Sequence, residues 1–390
     1  MLLFIFTVPI SQFISVRLAI VVLFFSFFVS QGTSSNYFLR SWDILLYLII
    51  LGLGLVYTEN LEQGLRVIET NFIFFALPLI FYKIGNFNIR KSYQIFYAFT
   101  TGLFAASLIS LANSILQYSE TADVRVFFFY QLTQALDFHP TYFGYYLIFS
   151  ITYGLYIIYY GSVRLNPYWI NGILVFLFFM LMLTGSQTAY ISLLLVFSFF
   201  VLKYLLGEKS RKETGVVIFV FIMTACMFSL ILNFQQNKQF LSLGDQNDYW
   251  ERFTLWDAAL RANPSPLFGV GTGDYKTILN QYYQSQGMAL FAEESYNSHN
   301  QFIQIYFSNG FFGLLALCII ICRPLYLSFK VQNPIGILII FPFIIYGVTE
   351  VFLGRFQGIV FFVFCHQLVI AQYYLIKPKL ILSKEDELST

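Results

Sequence analysis

"NSHNQFIQIYFSNGFFGLLAL", Asn297–Leu317, runs from a polar cluster around one of only three histidines into an apolar segment. From Gln301 onward apolar residues dominate for about 20 positions, the length a helix needs to cross a bilayer. The cluster therefore reads as the mouth of a membrane span. Comparable runs recur along the whole chain. The 390 residues are 58% hydrophobic and 11% charged, with a mean hydropathy of +0.69, whereas a soluble domain carries about a quarter charged residues. The 48 Phe and 28 Tyr suit lipid-facing surfaces and interfacial belts. A net charge of +2 leaves no basic patch of the size nucleic acid demands.

Length and apolar content predict an all-α polytopic membrane protein with about twelve transmembrane helices. They fall near 2–15, 18–31, 42–58, 69–84, 93–117, 140–161, 167–184, 187–206, 214–233, 301–322, 333–352 and 355–376. One long tilted helix in place of the first two gives eleven. The start lacks a basic n-region and a small-residue cleavage site, so its apolar stretch reads as a retained span. Lys83, Arg90, Lys91, Arg164, Lys203, Lys209, Arg211, Lys212, Arg323, Lys330, Lys377 and Lys379 follow alternate spans. That bias assigns their face, and both termini, to the cytoplasm. The expected division is a bundle 1–233, an extracytoplasmic loop 234–300, a bundle 301–377 and a cytoplasmic tail 378–390.

Within the loop, "GDQNDYWERFTLWDAALRANPSPLFGVGTGDYKTILNQYYQSQG" (Gly244–Gly287) reads as helix, turn, helix. Tyr249, Phe253, Trp256 and Leu260 recur at helical spacing as an apolar stripe. Asp245 or Asp248 can cap the first helix and Asn263-Pro264 ends it. Gly269, Gly271 and Gly273 make a turn, and Asp274 can cap a second helix that stops near Gly287. Two shorter outer loops are expected. Gln117–Asp137 runs into "DFHPTYFGYY", and Tyr57–Glu69 carries "TENLEQGLRVIET".

His299 can serve as a general base near neutral pH, beside Asn297, Ser298, Asn300 and Gln301, which hydrogen-bond well to sugars. Its plainer role is to cap or anchor the span. Arg252 offers a planar fork to phosphate oxygens, or a helical salt bridge to Asp248. Arg66 and Arg355, at the outer face, bind phosphate or snorkel. "GVGTGD" (Gly269–Asp274) lacks the preceding strand of a dinucleotide loop. It remains a turn whose amides approach an anion, or a plain turn. His139 precedes Pro140 at the start of a span, and His366, mid-span, reads as a packed, hydrogen-bonded residue. Trp250, Trp256, Tyr275, Tyr282, Tyr283 and Tyr296 can stack on sugars or form an interfacial belt. Cys226, Cys318, Cys322 and Cys365 fall in apolar spans and read as small buried hydrophobes. No outer loop holds an Asp-x-Asp or Glu-x-Asp pair. A sugar transferase built this way would use no metal and no cofactor, and arginines would neutralise the leaving diphosphate.

Several stretches together resemble the O-antigen ligase and O-antigen polymerase superfamily of bacterial membrane glycosyltransferases. They are "ENLEQGLRVIETNFIFFALPLIF", "HPTYFGYYL", "LTGSQTAYISLLLV", "RFTLWDAALRANPSPLFGVGTGDY" with "NSHNQFIQIYFSNGFFGLLAL", and "TEVFLGRFQGIVFFVF". The resemblance implies a multi-pass protein of the bacterial inner membrane. It implies an undecaprenyl-diphosphate-linked glycan donor, and lipid A core or a second lipid-linked glycan as acceptor. By position it makes Arg252 the diphosphate contact and His299 the residue that activates the acceptor. Gly271, Asp274, Asn300, His139, Arg66 and Arg355 are further candidate substrate contacts. Gln187 stands where the family commonly has arginine, so either another arginine (Arg66, Arg125 or Arg355) supplies that charge or the enzyme is weaker or altered. The likeness of "GVGTGD…NSHNQF" to proteins described as ligases sets the expectation of a ligase. A polymerase or, more remotely, a flippase of the same lipid is the alternative. A transporter is expected to show related halves, broken helices and ionisable groups near the bilayer centre.

Overall fold

A computed structural model describes residues 1–28, 39–83, 87–160, 167–207, 211–236 and 248–388. Arg164, Lys209 and Asp245 lie outside them. The side chains of Lys83, Arg211, Lys212, Asp248, Tyr249, Trp250, Lys377 and Lys379 are likewise outside the described set. All regular structure in the described residues is helical. Six helical stretches there are long and apolar enough to cross a membrane: 61–81, which takes in two consecutive helices, 89–121, 140–160, 187–206, 301–330 and 356–376. Five shorter apolar helices accompany them. Together they support a multi-pass membrane protein. The expected first span is not one helix. α1 (Leu2–Thr7) stops before a turn at Val8–Ile10, and α2 (Gln12–Ser26) starts anew. Pro9, which has no N–H to give the ladder, stands in that turn. For the same reason residues 2–31 are not a single tilted helix.

The chain forms two compact units. The first comprises Met1–Leu18 and Tyr93–Gln246. It holds α1, the start of α2, and most of α6 (Ile89–Thr121), with α7 (Phe129–Thr133), α8 (Pro140–Tyr160), α9 (Pro167–Leu183), α10 (Gln187–Leu206) and α11 (Arg211–Gln236). α8 is its axis, buried on nearly all sides. The Phe96 and Tyr153 rings stack at 4.6 Å, and Thr100 Oγ1 donates to Ser150 Oγ at 3.1 Å. Gly102 lets α6 cross α1 closely, since a Cβ there would strike the Phe6 backbone.

The second unit comprises Ala19–Ser92 and Asn247–Thr390. It contains α3 (Trp42–Leu53), α4 (Leu61–Asn71) and α5 (Ile73–Lys83). After the first unit's sequence come α12 (Asp248–Arg261), α13 (Tyr275–Ser285), α14 (Ala289–Glu293), α15 (Gln301–Lys330), α16 (Pro334–Thr349) and α17 (Phe356–Leu388). The expected loop Tyr57–Glu69 is mostly α4, whose first turn is capped by Asn60 Oδ1 accepting from Gln63 N. The two loop helices form as expected, but the buried face of α12 differs. Leu255, Ala258 and Ala259 pack inward with Tyr283 and Phe307. Phe253 (57% exposed) and Leu260 (49%) of the expected stripe face out. Small alanines admit the close approach of the neighbouring elements, and the large aromatic ring is left at the surface. Cys365 is buried, but Cys226 and Cys322 are exposed, on helices whose apolar surfaces would meet lipid.

α15 organises the unit and is broken at Gly310, whose φ of 62° and ψ of −157° are accessible only to glycine. Where the helical ladder is interrupted, the loop supplies partners. Asn263 Nδ2 donates to Tyr306 O at 3.2 Å, Val270 N to Phe307 O at 3.0 Å and Gly271 N to Ser308 O at 2.8 Å. Phe311 N donates to Pro266 O at 2.9 Å. A Cβ on Gly310 would collide with the Leu267 carbonyl, and one on Gly269 with the Ser308 carbonyl. The loop is thus stitched into the helix backbone rather than laid over it.

Toward the other end of α15, Arg323 pairs with Asp43 Oδ1 and donates to Arg40 O at 2.6 Å. His366 Nε2 bonds Asp43 Oδ2 at 2.8 Å, and Gln367 Nε2 reaches His366 Nδ1 at 3.3 Å. Asp43 and His366 are fully buried and Arg323 nearly so. His366 is the packed, hydrogen-bonded residue expected, with a carboxylate as its partner. The cluster ties α3, α15 and α17 together.

Candidate functional site

At the loop end of α15 the polar cluster mostly holds itself. Asn297 Oδ1 accepts from His299 N at 2.8 Å. Ser298 Oγ donates to Asn300 O at 2.9 Å and to Gln304 Oε1 at 3.2 Å. Asn300 Oδ1 caps α15 by accepting from Phe302 N and Ile303 N. Gln301 Oε1 accepts from Leu353 N at 2.7 Å, fixing the turn before α17. Asn297, Ser298, Asn300 and Gln301, read from sequence as sugar ligands, therefore spend polar atoms on the backbone around His299.

His299 itself has a φ of 43°, a left-handed conformation uncommon outside glycine that Asn, Asp and His adopt more readily than other side chains, and Ala122, Phe129, Asp137, Ser295 and Gln332 share it. Holding a non-glycine residue there costs on the order of 1–3 kcal/mol and is sustained only by surroundings such as these. Its Nδ1 stands 3.6 Å from Glu350 Oε1, and its ring lies 5.8 Å from that of Tyr296. Glu350 follows α16, is 13% exposed, and also accepts from Val351 N at 3.2 Å. The 3.6 Å separation is longer than a hydrogen bond, so Glu350 stands by Nδ1 as a nearby carboxylate and not as its bonded partner.

The same unit holds a cavity of about 160 Å³ that neither His299 nor Glu350 lines. α4, the 272–276 turn, the loop end of α15 and residues 351–354 contribute its walls. Gln301 and Val351, near neighbours of His299 and Glu350 in sequence, are among them. So are Gln63, Gln304, Ser308 and Asn309, a lining rich in amides and hydroxyls. Two cations, Arg66 and Lys276, line it, and no carboxylate does. Tyr275, also in the lining, has its phenol pushed up to about 12 by burial, so it stays neutral near pH 7.

Asp274 does not cap its own helix through its side chain. Its carboxylate instead accepts from Glu59 N at 2.8 Å and Asn60 N at 2.7 Å, clasping the start of α4. The amides of Val270, Gly271, Thr272, Gly273 and Asp274 all have protein acceptors. "GVGTGD" is therefore a structural clasp rather than an anion nest, and Gly271 is part of that clasp. Arg66 pairs with Glu62 at 2.6 Å and is two-thirds exposed. Arg355, exposed, follows the cavity residue Gly354. Arg252 is half-buried on α12 and is not among the cavity residues. His139 and Gln187 belong to the first unit. His139 bonds Tyr130 Oη at 2.6 Å, and Gln187 is exposed at the start of α10, just after the capping Ser186.

Residues 172–318 match a family model described as O-Antigen ligase, a stretch running from α9 through the loop into α15. That match supports the O-antigen ligase superfamily for this stretch. A curated uncharacterized protein of Haemophilus influenzae is 26% identical over 148 residues, covering 35% of this chain and 36% of its own length. The chain thus matches about a third of that relative. The ligase-family stretch contains Arg252, the clasp and His299, and ends before Glu350. Sequence reading missed Glu350 and Lys276. Glu350 is the sole charged residue between Lys330 and Arg355, a signal that was legible. Lys276 carries no such mark.

Proposed function

We propose that this chain is a membrane glycosyltransferase of O-antigen ligase type, moving a glycan from undecaprenyl diphosphate to lipid A core without a metal or cofactor. The observation that carries the reading is the approach of Glu350 to His299, whose backbone is left-handed, within and next to the stretch that matches the ligase model, with an amide-lined cavity walled in part by their near neighbours Gln301 and Val351. In this account His299 Nε2 takes the proton of the acceptor hydroxyl as its oxygen attacks the anomeric carbon. The bond from that carbon to the lipid diphosphate breaks, and the charge that develops on the leaving group is met by arginines. Arg252 serves there, with Arg66 and Arg355 supplying charge that Gln187 cannot. Attack opposite the leaving group inverts the anomeric centre. The loop faces the periplasm and both termini the cytoplasm, with the chain in the inner membrane.

The helix break and the buried ionisable cluster are features a transporter also uses. Here the break is filled by loop partners, and the cluster pairs Asp43 with Arg323 and His366. Reconstitution in liposomes decides. The purified chain and its His299→Ala variant receive the host's lipid-linked glycan with either lipid A core or a second lipid-linked repeat. Glycan on lipid A core, lost in the variant, is expected. A ladder of lengthening lipid-linked glycan would make the chain a polymerase. Glycan crossing the bilayer with no new bond would overturn the enzyme reading.

A further inference from the structure

The cavity holds two cations that are 210 positions apart in the sequence, Arg66 on α4 and Lys276 on α13. The clasp is what sets them on one space. Asp274, two residues before Lys276, binds the amides of Glu59 and Asn60 at the start of the helix that carries Arg66. Thr58 Oγ1 accepts from Gly273 N at 3.2 Å, adding a second tie between the same segments. Two like charges on one cavity repel, and the nearest compensation is Glu62, which engages Arg66 from the exposed side of α4. Lys276 has no such partner among the described residues, and the lining contributes no carboxylate. Such an arrangement is favourable when an anion occupies the space. The remaining lining suits a saccharide. Gln63, Gln304 and Asn309 offer amides and Ser308 a hydroxyl, while buried Asn71 has an Oδ1 with no hydrogen-bond partner.

We propose that Lys276 and Arg66 form a two-cation seat for an anionic group of the lipid-linked glycan, with Lys276 a substrate-binding residue of the cavity. The anion is either the lipid's diphosphate or a carboxylate or phosphate on the first sugars, since both present the same charge and oxygen acceptors. This inference rests on the glycosyltransferase reading for its substrate, but binding can be measured without transfer.

The test uses the full chain in nanodiscs, with Lys276→Gln, Lys276→Arg and Arg66→Gln. Probes are undecaprenyl diphosphate, the uncharged polyprenol of the same chain length, and a soluble disaccharide containing a uronic acid. Lys276 is exposed, so unfolding temperature should stay at the wild-type value in each Lys276 variant. Lys276→Gln is expected to weaken the seated anion about tenfold, Lys276→Arg to retain most of the affinity, and polyprenol binding to stay unchanged. Loss confined to undecaprenyl diphosphate assigns the seat to the lipid headgroup. Loss confined to the disaccharide assigns it to the glycan. Equal binding of both anionic probes by wild type and Lys276→Gln would overturn the seat. Wild type that binds these anions but transfers no glycan would instead sink the glycosyltransferase reading and leave the seat standing.

Discussion

The two ends of α15 each bring a histidine to a carboxylate, and the surroundings differ. Near one end His366 and Arg323 share Asp43 inside the packed helices, His366 and Asp43 with no exposed surface. At the other, His299 stands 3.6 Å from Glu350 and is 27% exposed, and its near neighbours in sequence, Gln301 and Gln304, line a cavity that also carries two cations. The first arrangement is closed and has its opposite charges in contact. The second is open, strained in backbone and loosely paired. The difference teaches that a buried charge cluster in a membrane helix need not mark chemistry. The informative end is the one with space, strain and unbalanced charge.

Breaking the closed end should have the largest effect on stability. Asp43→Ala leaves Arg323 and His366 facing an empty site, and removing one partner of a buried pair costs about 3–5 kcal/mol. Thermal unfolding in detergent reads this, and an unchanged midpoint would contradict the description of a closed ionic tie. Next, Gly310→Ala places a Cβ against the Leu267 carbonyl and forces a non-glycine residue into glycine-only backbone, at about 1–3 kcal/mol. Faster amide exchange across residues 263–275 should accompany it, because those residues depend on the break for their partners.

At the open end, Glu350→Gln should leave the unfolding midpoint near wild type while turnover falls, by less than the roughly 10⁴-fold lost when a bonded carboxylate partner of a catalytic histidine is neutralised. The loss falls short of a fully buried, hydrogen-bonded carboxylate because the observed separation is 3.6 Å. A variant with full turnover would remove Glu350 from the account. The smallest effect concerns Tyr275. Burial raises its phenol from 10.0 to about 12. Its contribution is therefore fully present below pH 10 and is lost as the pH rises toward 12, where the unfolded chain ionises first. Tyr275→Phe should flatten the stability curve in that window and leave its slope unchanged below pH 10, as read by chemical denaturation across pH.

Much of this was legible in sequence, and unevenly so. The helical class, the loop helices and His299 at the mouth of a span follow from apolar run lengths and punctuation by Gly, Pro and Asn. The buried face of α12 is not encoded locally, because helical spacing fits both Phe253–Leu260 and Leu255–Ala259, and only the neighbours decide between them. The sequence of "GVGTGD" fits an anion-binding turn or a plain turn, and the acceptors that decide it, Phe307 O and Ser308 O for Val270 and Gly271, lie at a break in α15 that Gly310 alone only hints at. Asn300 and Asp274 looked like ligands because polar side chains look alike until their partners are known. Lys276 and Arg66 meet only through long-range contacts that no local pattern encodes.

The two histidines offer the sharpest test. Wild type, His299→Ala and His366→Gln should be reconstituted at equal amounts of folded protein and assayed for glycan transfer. His366→Gln keeps a donor for Asp43 and should retain transfer within about twofold. His299→Ala, with an unfolding midpoint near wild type, should lose about 100- to 10,000-fold, the range expected for a general base. The opposite result, transfer surviving without His299 and vanishing without His366, would move the chemistry to the closed end and contradict the account.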